Sequence, residues 1–285
     1  CLNTPLIIHK TVAINLKMKN LIIIYLLILS FSACNSQQKN NSEKDQEMFN
    51  IFKKKSQKKS EVLSHADYNQ IFDNDTIEGM PISVIEIGKL KVPTGKIVVC
   101  DPLVTPDMQP LTREVKTGEF PIKIYEVKTE NSGDRYAIAK LEFNQQRAIK
   151  WVLALRDGED INELTDEGDF FGFPVDAGLG GFFDIQAGVE YLKFQDEFMK
   201  SNPNGNIYDD FFAMEFKKSA KDQNDPNDYG NWVNFKLPNS DLNITMFQSG
   251  YGDGMYPAFW GIDKNGEITS LVIDFFVVLL PEDEE

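Results

Sequence analysis

The sequence predicts an α+β fold: a single domain on a curved, mainly antiparallel β-sheet, with a few helices grouped on one side. Three observations predict it. Apolar residues alternate with period two through residues 82–155, a helical period takes over between residues 184 and 199, and strand signals return from residue 232 to a final hairpin. No repeat of fixed period and no clear linker separates these stretches, so they belong to one domain, residues 65–285.

The N-terminal part reads differently. Cys1 opens the chain and Met18-Lys19-Asn20 precedes a dense apolar run, so Met18 is the expected start of the product and residues 1–17 are upstream sequence. Leu21–Phe31 (LIIIYLLILSF) has the length of a signal peptide and is too short to cross a bilayer as a helix. Phe31-Ser32-Ala33-Cys34 then resembles the lipobox of bacterial lipoproteins, with Phe31 standing where Leu is commonest. The resemblance implies cleavage before Cys34 and acylation of its thiol; the alternatives are an ordinary cleaved leader and a short hydrophobic helix. Each acyl methylene buried in a membrane contributes about 0.8 kcal/mol, so two or more chains anchor stably. Residues 34–64 follow as a polar tether, and its Lys53, Lys54, Lys55, Lys58 and Lys59 form a solvated charge run within reach of anionic lipid.

Within the domain, His65–Phe72 suits a short helix, ended by the turn chemistry of Asp73-Asn74-Asp75. Strands are expected at Ile82–Leu90 and Lys96–Cys100, joined by Val92-Pro93-Thr94-Gly95 as a type I turn. Phe120, Ile122 and Ile124, then Ala137 to Phe143 around an Asn131–Asp134 turn, then Ile149 to Leu155, continue an antiparallel meander. Ile185, Val189, Leu192 and Met199 mark one helical face behind Asp184 as N-cap, and a weaker helix runs Asn206–Lys218 through Ile207, Phe211 and Met214. Trp232–Phe235, Leu242–Gln248 and a hairpin ending in the apolar run Leu271–Leu280 complete the chain. Asp274 is the one polar interruption of that run and needs a partner there.

Composition narrows the chemistry. Removing residues 1–33 leaves 26 Lys and Arg against 44 Asp and Glu, a formal charge of −18. Such a field repels nucleic acid and favours basic partners or cations, although acidity also serves solubility alone. Cys100 is the one cysteine beyond Cys34, so no intrachain disulfide forms in the mature chain, and its place after Ile97-Val98-Val99 suits an inert buried thiol. Only His65 remains in the mature chain, which excludes a histidine metal cluster; a Ser-His-Asp triad would have to use His65 at the domain's edge without a G-x-S-x-G elbow.

Asp263-Lys264-Asn265-Gly266 looks like the middle of a calcium loop. Aligning Gly266 with that loop's glycine puts Gly261 at the first ligand position and Val272 at the last, so an Asn-Gly hairpin turn is the better reading. Three acid-plus-glycine segments remain, at Asp101, at Asp176 within residues 172–184, and at Asp253 within residues 249–254. Asp101, Asp176 and Asp253 are the candidate ligand-binding acids, with Tyr251, Tyr256 and Trp260 as candidate lining; catalytic residues and cofactor are unassigned, and no metal is assigned. The competing reading makes the glycines turn-formers, each Asp a partner of local N–H groups and the aromatics core.

Val92–Leu103, Phe170–Asp184 with Val175-Asp176-Ala177-Gly178, and Gly250–Pro257 together resemble the bacterial domain-of-unknown-function family 4241 over about residues 80–276. The resemblance implies a shared fold and no activity. The expected function is a lipid-anchored envelope protein on the periplasmic or cell-surface side, a binding or interaction module whose acidic surface takes a basic protein or cationic ligand, in one version an immunity-type protein against a basic toxin. The alternatives are a metal-dependent hydrolase or lyase using the clustered aspartates, and a purely structural envelope component.

Overall fold

The computed structural model describes residues 60–166 and 168–278. The leader, Cys34, most of the tether with its lysine run, and Leu279–Leu280 lie outside the described residues. Among the described residues no helix is long and apolar enough to cross a membrane.

The elements are α1 (Asn69–Phe72), β1 (Thr76–Ile77), β2 (Met80–Val92), β3 (Ile97–Cys100), β4 (Gly118–Thr129), β5 (Gly133–Glu142), β6 (Lys150–Leu153), β7 (Gly172–Val175), β8 (Leu179–Asp184), α2 (Ile185–Ser201), a π-helical turn (Tyr208–Phe212) running into α3 (Ala213–Lys217), β9 (Trp232–Lys236), β10 (Asn243–Gln248), β11 (Gly254–Ile262) and β12 (Ile268–Asp274). A 3-10 turn at Ile161–Glu163 lies between β6 and β7. Every strand pairing is antiparallel, as expected for this α+β class.

The strands divide between two sheets rather than forming one. The larger runs β1-β2-β4-β5-β12-β11-β6 with β7 also paired to β11, and the smaller runs β3-β8-β10-β9. The cause lies in β3, β8 and β10. All of β3 and β8 and most of β10 is buried on both faces, which requires a layer on either side. So Val92-Pro93-Thr94-Gly95 does not close a hairpin; it carries the chain from one sheet to the other. Asp184 secures that crossing, because its Oδ2 accepts from Thr94 N (2.9 Å) and Thr94 Oγ1 (2.8 Å) while its Oδ1 accepts from Gln186 N (2.9 Å) as the N-cap of α2.

Three apolar clusters separate four layers. Ile122, Leu141 and Trp260 of the large sheet meet Ile97, Val99 and Phe182 of the small one. The outer face of the small sheet, with Val98, Phe183 and Ile244, is covered by Tyr191, Phe212 and Phe216 of the helical segment. The outer face of the large sheet, with Val127, Trp151 and Phe259, is covered by Tyr68 and Ile71.

The helical face of α2 differs from the expected one. Val189, Leu192 and Met199 are substantially exposed, and Ala187, Gly188 and Tyr191 are buried. Closeness of approach decides the face: a Cβ at Gly188 would stand 2.8 Å from the ring of Phe183, so a glycine at this point lets the helix lie on β8. The second helix also presents other residues than its period suggests. Met214 is 72% exposed while Phe212 and Phe216 are buried, because the π-helical turn widens the spacing and rotates the face that α3 presents. Residues 62–64 lie along β6, since Leu153 N donates to Val62 O (2.8 Å) and Ser64 N to Trp151 O (2.9 Å).

The turn of the final hairpin is as expected, while its second strand ends at Asp274, short of the end of the apolar run. Gly266 N donates to Asp263 O (3.0 Å), and Gly266 takes φ +83°, which glycine adopts without steric cost. Asp263 Oδ1 accepts from Asn265 N and Glu267 N, so the carboxylate of the calcium-like stretch is used by its own turn.

Candidate functional site

The three acid-plus-glycine segments do come together, through the Asp101 carboxylate and backbone groups rather than through a meeting of their three acids. Asp101, immediately after β3, is fully buried. Its Oδ1 accepts from Leu103 N (3.1 Å), and its Oδ2 from Asp176 N (3.2 Å) and Ala177 N (2.8 Å). Burial raises its pKa, and these backbone donors pull the other way. Ser249 N then donates to Gly178 O (3.0 Å), and Gly254 pairs with Val175 across β11 and β7.

The side chains of Asp176 and Asp253 both face solvent. None of the three acids lines the cavity of about 260 Å³ bounded by Gly178, Ser249, Gly250, Tyr208 and Phe216. Among the described residues no group of three or more His, Cys, Asp or Glu is placed to hold a metal ion. The aromatics separate likewise. Trp260 is fully buried in the core, Tyr256 is buried with its hydroxyl donating to Gly252 O (2.8 Å), and Tyr251 is exposed beneath the Arg135 guanidinium at 5.8 Å. Cys100 is buried, and burial pushes its thiol far above the ordinary range.

A larger cavity, of about 640 Å³, lies on the opposite side of the large sheet, beneath the N-terminal segment. It is built from α1 outward. Asp67 Oδ1 accepts from Asn69 N (3.0 Å) and Trp151 Nε1 (3.1 Å), which fixes the start of the helix over the sheet. Tyr68 is thereby held with its ring edge-on to Trp151 at 5.1 Å and tilted against Phe259 at 5.8 Å. Its hydroxyl donates to Asp274 Oδ2 at 2.9 Å, so the polar residue inside the last apolar run has its partner 206 residues away.

The hydrogen bonds around Asp274 all point toward it. Ala66 N donates to Ser64 Oγ (3.1 Å), Ser64 Oγ donates to Tyr68 Oη (3.2 Å), and Phe276 N donates to Asp274 Oδ1 (2.8 Å). Asp274 is only 7% exposed, and desolvation lifts its pKa from 3.8 to about 6 against the pull of Phe276 N and Tyr68. Phe276 holds φ at +53°, a left-handed conformation that costs a bulky residue on the order of 1–2 kcal/mol. Its N–H bond to Asp274 helps hold it there.

The rest of the wall is apolar and acidic. Phe170, Pro257, Phe259, Phe276 and Val278 form the apolar part. At the rim, Glu61 is paired with Lys150 (2.5 Å) and Arg113 (3.0 Å), which hold its carboxyl below the usual range. Asp169 Oδ2 is engaged by Thr165 N and Asp166 N. Asp274 forms no ion pair among the described residues.

Ser64, His65 and Asp274 surround this one cavity, yet they do not form a nucleophile and base. Ser64 Oγ donates to a tyrosine rather than to an imidazole, and no hydrogen bond joins His65 to either residue among the described residues. What the arrangement offers is a buried carboxylate without a counter-ion at the edge of an aromatic hollow. The sequence carries one signal for it, the acid inside an apolar strand. It carries none for Tyr68, whose distance along the chain hides the pairing.

A protein-family model described as a protein of unknown function (DUF4241) matches residues 90–273. The match takes in all three acid-plus-glycine segments and stops one residue before Asp274. No curated protein and no solved structure matches the chain.

Proposed function

The chain belongs to the DUF4241 family of proteins of unknown function, and on that premise we propose that it is a binding module of the cell envelope, anchored to a membrane by lipid on Cys34 and facing the periplasm or the cell exterior. The observation that carries the binding role is the cavity of about 640 Å³ under the N-terminal segment, whose size and aromatic wall suit a small ligand or an inserted side chain. The lipobox-like Phe31-Ser32-Ala33-Cys34 supports the anchor, and the mature charge of −18 supports a cationic or basic partner, a basic toxin among them.

An enzyme built on Asp101, Asp176 and Asp253 finds less support, because the first carboxylate is used on backbone N–H groups and the other two face solvent.

The test places a photo-cross-linking residue at Leu63, an exposed residue on the cavity wall, in the intact chain within its own membranes. A specific adduct is expected there and not from Val84, equally exposed on β2. Identical adduct patterns from both positions, or none from either, would overturn the binding reading. Cys34→Ser is expected to move the chain from the membrane to the soluble fraction; retention on the membrane would overturn the anchor.

A further inference from the structure

The geometry points to a small organic cation as the ligand of the cavity: an ammonium group set against the free lone pairs of Asp274, with an aromatic or branched aliphatic body against Phe170, Phe259 and Phe276. This inference rests on the binding reading above and names its ligand class.

Asp274 is a carboxylate with only 7% of its surface exposed, and it has two donors, Tyr68 Oη and Phe276 N, for a group with roughly four acceptor sites. No lysine, arginine or histidine pairs with it among the described residues. A buried charge left without a counter-ion is costly, and a cation arriving from outside relieves that cost in the same place where it gains a charge-assisted bond.

The cavity's other charges favour the same sign. Asp166 and Asp169 stand on its wall, Glu61 is already neutralised by Lys150 and Arg113, and among the described residues His65 is the one basic side chain lining it. An anionic ligand would meet three carboxylates; a neutral one would leave Asp274 without a counter-ion. The apolar wall then selects a cation with an apolar body over a metal ion or a bare ammonium. The faces of Phe170, Phe259 and Phe276 add attraction to a positive group lying near them.

The experiment is calorimetric titration of the full chain in a mild non-ionic detergent at pH 7.5 with three probes of one shape: phenethylamine, 2-phenylethanol and 3-phenylpropanoate. The amine is expected to bind about tenfold or more tightly than the alcohol, the equivalent of one charge-assisted hydrogen bond, with the anion weaker still. In Asp274→Asn the preference for the amine is expected to vanish while the alcohol's affinity is kept. Equal binding of amine and alcohol by the unaltered chain would overturn the cation assignment and leave the cavity as a binding site. No binding of any probe up to millimolar concentration would overturn both. A lysine-containing tripeptide that binds more tightly than phenethylamine would reassign the cavity to a partner's side chain and overturn the small-ligand assignment. The comparison of probes on the unaltered chain does not depend on whether the variant folds.

Discussion

Tyr68→Phe removes the hydrogen bond on which the cavity is built, together with the bond that Ser64 Oγ donates to the same hydroxyl. The substitution keeps the ring, and therefore the contacts to Trp151 at 5.1 Å and Phe259 at 5.8 Å, and removes only the hydroxyl that reaches Asp274 at 2.9 Å. Above about pH 6 Asp274 is ionised, and a hydrogen bond to a charged acceptor contributes about 1.5–3 kcal/mol. For a domain of this size about 2–4 °C accompanies each kcal/mol, so a fall in Tm of about 3–12 °C is expected at pH 8. At pH 5 the carboxyl is mostly protonated in the folded chain, the bond becomes one between neutral groups, and the loss shrinks to about 1 kcal/mol. Burial raises the folded-state pKa of Asp274 from 3.8 to about 6, so the folded form takes up the proton first. This group opposes folding above about pH 6, by roughly 3 kcal/mol, and the opposition is relieved as pH falls toward 4. Losing the Tyr68 donor raises that pKa further, so the variant's deficit grows with pH. Glu61, His65, Asp166 and Asp169 line the same cavity and are unchanged between the two proteins, so they cancel in the comparison. Thermal unfolding of both chains between pH 5 and pH 8 is the assay. An equal loss at both ends of the range would refute a charged Asp274 bonded to Tyr68.

The packing sets three further outcomes. Asp101→Ala deprives Leu103, Asp176 and Ala177 N–H groups of their acceptor and is expected to cost about 3 kcal/mol in urea unfolding, whereas Asp176→Ala and Asp253→Ala stay within about 0.5 kcal/mol; three equal losses would contradict the anchoring role of Asp101. Gly188→Val drives a side chain into Phe183 and is expected to destabilise by about 1–3 kcal/mol, while Leu192→Ala on the outer face costs well under 1 kcal/mol. The reverse order would place the other face of α2 on the sheet. Cys100 is expected to resist a thiol reagent at pH 8 in the folded chain and to react at once in denaturant, because burial keeps its thiol protonated; rapid labelling of the native protein would show the core around β3 to be open.

Much of this architecture is written locally. Period-two alternation in residues 120–143 is the signature of a half-buried strand, and Asp263-Lys264-Asn265-Gly266 carries its own turn, with the carboxylate bonding N–H groups two and four residues on. Asp184 is legible as a helix cap for the same reason: donor and acceptor lie within a few residues. Non-local choices are not legible in this way. Val98 and Val99 in β3 are alike to any local rule, yet one packs on helices and the other between the sheets. On α2 two stripes of residues are available as the buried face, and Phe183 across the gap selects the one with Gly188.

The candidate site divides along the same line. The chain read residue by residue shows that Asp274 interrupts an apolar run and must find a donor, that His65 is the one histidine after residue 33, and that three acid-plus-glycine segments stand out. It takes the folded molecule to reveal that those segments meet through Asp101 and backbone amides, and that the larger cavity forms elsewhere. Range separates the two kinds of information. A turn or a cap is closed by atoms a few bonds apart, whereas the carboxylate of Asp274 is satisfied by Tyr68, 206 residues away, through the folding of α1 onto the outer face of the large sheet.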